Sequence, residues 1–151
     1  MKVASLGIRT VILRIGIVLS GKEGALPKLA LPVKLFVGSP LGSGKQYMSW
    51  IHEKDVCALY LKAVEDKNMN GIYNAVSPEP VTNREFIKTL AHSLKRPLFL
   101  PPVPAFMLKI VLGELAAAVT QGQRVSCKKL TGAGFDFEFP QLNDALKNIY
   151  A

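Results

Sequence analysis

Cysteine is scarce in this chain: Cys57 and Cys127 are the only two among 151 residues. Two thiols so far apart support neither a disulfide framework nor a metal-ligand cluster. Both are expected to stay reduced, as in a cytoplasmic protein. Long apolar runs are missing too. The longest candidate, 103–119, is interrupted by Pro104, Lys109, Gly113 and Glu114 and falls short of the about 20 residues a membrane span needs. Lys2, Gly7 and Arg9 at the start do not read as a signal peptide. Acidic residues are few, 11 against 19 Lys and Arg, for a net charge of +8. Such an excess attracts anions. The basic residues are nevertheless scattered, with no run longer than Lys95-Arg96 or Lys128-Lys129, and aromatics do not alternate with them. Nucleic acid is therefore not an expected partner; a solvated basic surface suited to a phosphate-bearing small molecule is.

Two chemical signatures are also absent. No G-x-G-x-x-G run occurs, so nothing wraps a dinucleotide pyrophosphate in the usual way. None of Tyr47, Tyr60, Tyr73 and Tyr150 has a lysine four residues on. That pair would lower the phenol pKa and let it act as acid or base near neutral pH. The segment GSPLGSGKQ resembles a P-loop only superficially. The position five before Gly44 is Ser39, and Lys45 is followed by Gln46 rather than Ser or Thr. A glycine-rich connection is the better description.

What is present suits one folded domain. Hydrophobic residues make up 49%, and a chain of this size buries roughly 70% of its unfolded surface. Val11 to Leu19 is rich in β-branched residues and predicts a buried strand. Pro27 and Pro32 limit helix in 25–36 to short pieces. Gln46 to His52 predicts a short strand. Asp55 is placed to cap a helix reaching about Asp66. Asn70-Gly71 predicts a turn before a strand at Ile72 to Val76. Thr82 and Glu85 have the spacing of a capping box, opening a helix to about Leu94. A strongly apolar helix is expected over 105–119. Alternating Phe135, Phe137 and Phe139 predict a strand, and Pro140 to Ile149 a closing helix. Strands separated by helices make an α/β fold. Arg14 stands out in an apolar strand, since a buried arginine needs carboxylates, carbonyls or a ligand. His52, the end of a strand beside a loop, is a common place for a functional side chain.

Several segments together resemble one family. They are VILRIGIVLS followed by KEGAL, then SWIHEKDVCALYLKAVE, GIYNAVSPEPVTNREF, and a tail with GELA, GQRV and GFDFEFPQLNDAL. In order and spacing they resemble the epimerase-like atypical short-chain dehydrogenase/reductases, with their uncharacterised C-terminal domain, over nearly the whole chain. The resemblance implies an α/β fold: the C-terminal part of an extended short-chain dehydrogenase Rossmann-like fold, a substrate-binding subdomain with several helices and short strands. It implies one domain over 1–151, with 1–24 completing the edge of a Rossmann sheet and 97–151 a helical extension. The glycine fingerprint and the Tyr-xxx-Lys pair would lie in a preceding half.

Carried over residue by residue, Ile15, Gly16, Ile17 and Val18 would run beside the nicotinamide of NAD(P). Arg14, Ser20, Trp50 and His52 would lie on the substrate side. Asn74 would sit at a strand end, with Asn83 and Arg84 opening a helix. The implied activity is that of an NAD(P)-dependent, sugar-nucleotide-epimerase-like oxidoreductase, with a nucleotide-sugar-like ligand. Alone, the chain is expected to be inactive, to bind NAD(P) poorly and to self-associate. Other family members carry a cell-division-inhibitor label, which leaves a non-enzymatic regulatory or interaction protein, or a small-molecule sensor, as alternatives.

Overall fold

The computed structural model describes residues 7–102 and 122–150; the helix expected over 105–119 lies outside them. The β-branched run splits into two strands, β1 (Val11–Ile15) and β2 (Ile17–Leu19). The run Gln46 to His52 splits likewise, into β3 (Tyr47–Met48) and β4 (Trp50–His52). Both breaks have one cause: each run changes partner midway. β1 pairs in parallel with β5 (Gly71–Ala75), and β2 in parallel with β4, Ile17 facing Trp50 and Leu19 facing His52. β3 pairs antiparallel with β6 (Val81–Thr82).

Five helices are described. The first, α1 (Ala25–Lys34), corrects the expectation of short pieces. Pro27 falls in its first turn, where an N–H has no intrahelical partner anyway. Pro32 lies inside, but only two residues from the end, and buried Leu26, Ala30 and Val33 hold the helix down. α2 (Glu53–Glu65) is capped by His52, not by Asp55: the Lys54 N–H donates to His52 Nδ1 at 3.2 Å. α3 (Asn83–Ser93) opens on the predicted capping box, with Thr82 Oγ1 accepting from the Glu85 N–H and the Glu85 carboxylate accepting from the Thr82 N–H. α4 (Lys128–Gly132) and α5 (Leu142–Tyr150) follow.

No strand forms at Phe135 to Phe139. The alternation is real in burial, Phe135 and Phe139 inward and Asp136 and Glu138 outward, yet the backbone finds no ladder. The Glu138 and Phe139 N–H groups donate to the two carboxylate oxygens of Asp55, at 2.7 and 3.2 Å. A side chain thus does what a neighbouring strand was expected to do.

Side-chain alternation along β2 and β4 feeds two cores. Leu19 and Trp50 join Leu26, Phe86, Leu90 and Leu146 between α1, α3 and α5. Val18 and Ile51 join Leu59, Tyr73, Ala75 and Leu130 between α2, β5 and α4. The strand pair is the partition between the two cores.

Candidate functional site

In open α/β sheets, ligands bind outside the carboxyl ends of the strands, where the chain order changes. Here the run 11–19 changes ladder at Gly16, just past the carboxyl end of β1. The Gly16 N–H still donates to Ala75 O of β5 at 3.1 Å, while the Ile17 N–H donates to Ser49 O at 2.9 Å. One residue therefore hands the chain from one ladder to the other. No side chain fits there: a Cβ on Gly16 would lie 2.5 Å from Ser49 O and 2.8 Å from Val76 Cγ1.

The four residues expected along the cofactor straddle this step. Ile15 ends β1 and is 40% exposed, and Ile17 and Val18 are half-buried in β2. Of the four expected on the substrate side, Arg14 is exposed, opposite Asn74 in the β1–β5 register. It is therefore not the buried arginine that the apolar strand suggests. β1 is open enough on that face for the guanidinium to stay hydrated. Ser20 follows β2, half-buried, and accepts a long 3.4 Å bond from the Lys22 N–H. Trp50 and His52 are turned inward. The Trp50 indole N–H donates to Glu79 O at 3.0 Å, and the side chain is fully buried. His52 is 1% exposed, its ring 4.1 Å from that of Phe139. Burial holds its pKa below the ordinary 6.5, against the raising influence of Asp55 and Glu53. The neutral ring suits a cap that must accept a hydrogen bond. The β2–β4 ladder brings Ile17, Val18, Trp50 and His52 together, and Arg14 stays on the other ladder.

Residues without a sequence signal build the surroundings. Ser49 Oγ donates to Gln123 O at 2.8 Å and accepts from the Val125 N–H at 3.1 Å. Glu79 accepts from the Leu142 N–H at 2.9 Å, fixing the start of α5. Arg9 donates to the carbonyls of Ala63 and Val64 at the end of α2 and of Met69 beyond it. These partners lie 54 to 76 residues apart along the chain, beyond any local pattern.

The glycine-rich connection is no phosphate cradle. Its carbonyls take up the first amides of α3: Gly44 O accepts from the Arg84 N–H at 3.0 Å and Gln46 O from the Asn83 N–H at 2.8 Å. The Leu41 N–H donates to Asn83 Oδ1 at 2.8 Å. The helix N-terminus is thereby satisfied from within. Among the described residues no group of three His, Cys, Asp or Glu could hold a metal ion, and no helix is long and apolar enough to cross a membrane.

Known proteins are similar to this chain in sequence and in fold. Epimerase family protein YfhF of Bacillus subtilis is 40% identical over 149 residues, covering 99% of this chain and 48% of the relative. The crystal structure of human epimerase family protein SDR39U1 (isoform 2) with NADPH superimposes with a TM-score of 0.89 at 36% identity, covering 94% of this chain and 48% of that one. The chain is epimerase-like, with the fold of the short-chain dehydrogenase/reductases. The nucleoside-diphosphate sugar epimerase from Corynebacterium glutamicum is similar too, with a TM-score of 0.74 at 27% identity, covering 97% of this chain and 27% of that one. A family profile described as a domain of unknown function, DUF1731, matches residues 103–149. The epimerase-like chain spans about half the length of the curated relatives it matches.

Proposed function

We propose that this chain supplies the nicotinamide-facing strand edge and the substrate side of an NAD(P)-dependent epimerase-like oxidoreductase. The observation that carries this is the step at Gly16. It lies at the carboxyl end of β1, it is bare of side chain, and it is wedged so tightly against Ser49 and Val76 that only glycine fits. The place of a side chain is filled from within by Ser49 and Val76, so the glycine lets the neighbouring backbone close in and fixes the level of the exposed edge beside it. Ile15 to Val18 line that edge. When bound, the cofactor supplies hydride transfer; the chain's part is binding and orientation. Arg14, exposed, and Ser20, half-exposed, face solvent and can meet a substrate. Trp50 and His52 hold the wall from behind, one by its indole bond to Glu79 and the other by capping α2. The excess of basic residues suits a phosphate-bearing substrate of the nucleotide-sugar kind, and the similarity to a nucleoside-diphosphate sugar epimerase supports the same class.

The test joins this chain to the half of the Bacillus subtilis relative that it does not match. The chimera is expected to bind NADPH or NADH, read by nicotinamide fluorescence, and Gly16→Val to weaken binding by at least about tenfold, worth about 1.4 kcal/mol. A folded, monodisperse chimera that binds neither dinucleotide would overturn the assignment.

A further inference from the structure

The segment Gly122 to Ser126 lies inside the matched domain of unknown function and runs beside the Gly16 step without a strand partner of its own. We propose that it is a strap that positions the Gly16–Ile17 backbone, and that Ser49 is the positioning residue through which it acts. The functional consequence rests on the nicotinamide-facing reading above; the mechanical one does not.

Ser49 sits in the gap between β3 and β4, and both its halves are in use. Its carbonyl accepts the Ile17 N–H and fills the space a Gly16 side chain would need. Its hydroxyl donates to Gln123 O and accepts from the Val125 N–H. A hydroxyl that gives to one strap residue and takes from another two positions on has both its roles assigned, which fixes its rotamer. The strap is anchored on either side of this point. Gly122 comes so close to Tyr47 that a methyl there would collide with the Tyr47 carbonyl. The Arg124 guanidinium lies 5.5 Å over the Tyr47 ring, and Asn74 Nδ2 donates to Ser126 O at 3.0 Å. Asn74 is itself a β5 residue, one before the Ala75 whose carbonyl holds Gly16. The strap therefore touches both ladders at the level where the chain passes between them. The chain passes from one ladder to the other between the Gly16 N–H and the Ile17 N–H, and a side chain tied to segments on both sides limits how far they can slide. The matched domain thereby contributes to the geometry of the site, in addition to covering the core through Leu130 and Phe135.

The experiment compares amide hydrogen exchange, residue by residue, in the 151-residue chain and in Ser49→Ala, Ser49→Thr and Gly122→Ala. Ser49→Ala and Gly122→Ala are expected to speed exchange of the Ile17 amide by at least about tenfold, while the Phe86 and Leu90 amides in α3 keep their protection. Ser49→Thr, which keeps the hydroxyl, is expected to restore it. Unchanged Ile17 protection in both alanine variants would overturn the strap, and so would loss spread evenly over α3. In the chimera, Ser49→Ala is expected to weaken NADPH binding several-fold, with Ser49→Thr recovering it. A loosened Ile17 with unchanged NADPH affinity leaves the strap standing and removes the nicotinamide-facing reading.

Discussion

At the scale of single residues, buried polar groups decide how this chain is closed. Asp55 is 1% exposed and serves two amides; His52 serves one, and packs its ring on the residue whose amide Asp55 holds. Lys54 adds an exposed 3.4 Å contact to Glu138, worth little by itself. His52 also predicts a pH dependence. Burial lowers its folded-state pKa below the ordinary 6.5. Below pH 6.5 the unfolded chain takes up a proton that the folded chain refuses, so stability falls with pH until the lowered folded pKa is reached. The paired carboxylates act elsewhere: Asp66 and Glu85 have pKa values held below the ordinary 3.8 and 4.5 by hydrogen bonds to Asn68 and Thr82, and their contributions fade only in stronger acid. His52→Asn keeps a capping side chain that does not titrate. Its urea midpoint should be lower than the wild type's at pH 7.5, through lost packing on Phe139, yet should drop less between about pH 7 and pH 5.5. Equal drops in the two proteins would show that His52 is not the group responsible.

Among the elements, what can be read from the sequence depends on how far apart the partners are. Thr82 and Glu85 are three residues apart, and their capping box stands where the spacing puts it. Thr82→Ala should cost about 1 kcal/mol in denaturant melts; an unmoved midpoint would mean that the capping box adds nothing to stability. The β-branched run 11–19 and the run 46–52 announce strands equally well. Their breaks at Gly16 and Ser49 do not show, because each break is set by a partner strand far along the chain. The phenylalanine alternation near 137 shows burial correctly and strand wrongly, since the carboxylate that replaces the ladder is 83 and 84 residues away. The candidate site follows the same division. Ile15 to Val18 could be named as candidates from resemblance, whereas Ser49 and its strap had no local signal, being joined across 74 and 76 residues. Helix 25–34 exceeds its sequence expectation for another reason: the penalty of Pro32 depends on how much helix follows it, and only Val33 and Lys34 do.

For the whole molecule, two expectations follow from a chain about half as long as its relatives. The first concerns cofactor. The dinucleotide's pyrophosphate needs amides at a helix start, and the α3 start is spent on loop carbonyls. Calorimetric titration of the isolated chain with NADPH and NADH should show no useful affinity, and a Kd in the low micromolar range, near −8 kcal/mol, would refute that. The second concerns association. Among the described residues β1 pairs with β5 alone. β5 is guarded, since Lys129 Nζ donates to the Asn70 and Ile72 carbonyls and lies 4.1 Å over the Tyr73 ring. A lysine laid along a strand blunts it for pairing; on β1 the one charged side chain is Arg14, which is exposed. Beside it, a groove is lined by Arg9, Val11, Leu13, Tyr60, Ala63 and Val64, with Tyr60 52% and Val64 72% exposed. A second copy of the chain placed β1 to β1 would bury this surface on both sides. The net charge of +8 opposes that approach, and the Debye length of about 10 Å at 0.1 M salt sets how strongly. Salt should therefore favour the dimer, because screening removes the repulsion and leaves apolar burial intact. Light scattering behind size exclusion is expected to show a larger species at high micromolar chain, more of it at about 0.5 M salt than at about 0.05 M. A clean monomer under both conditions, with the Val11 to Ile15 amides protected from exchange, would show that the edge is covered within one molecule.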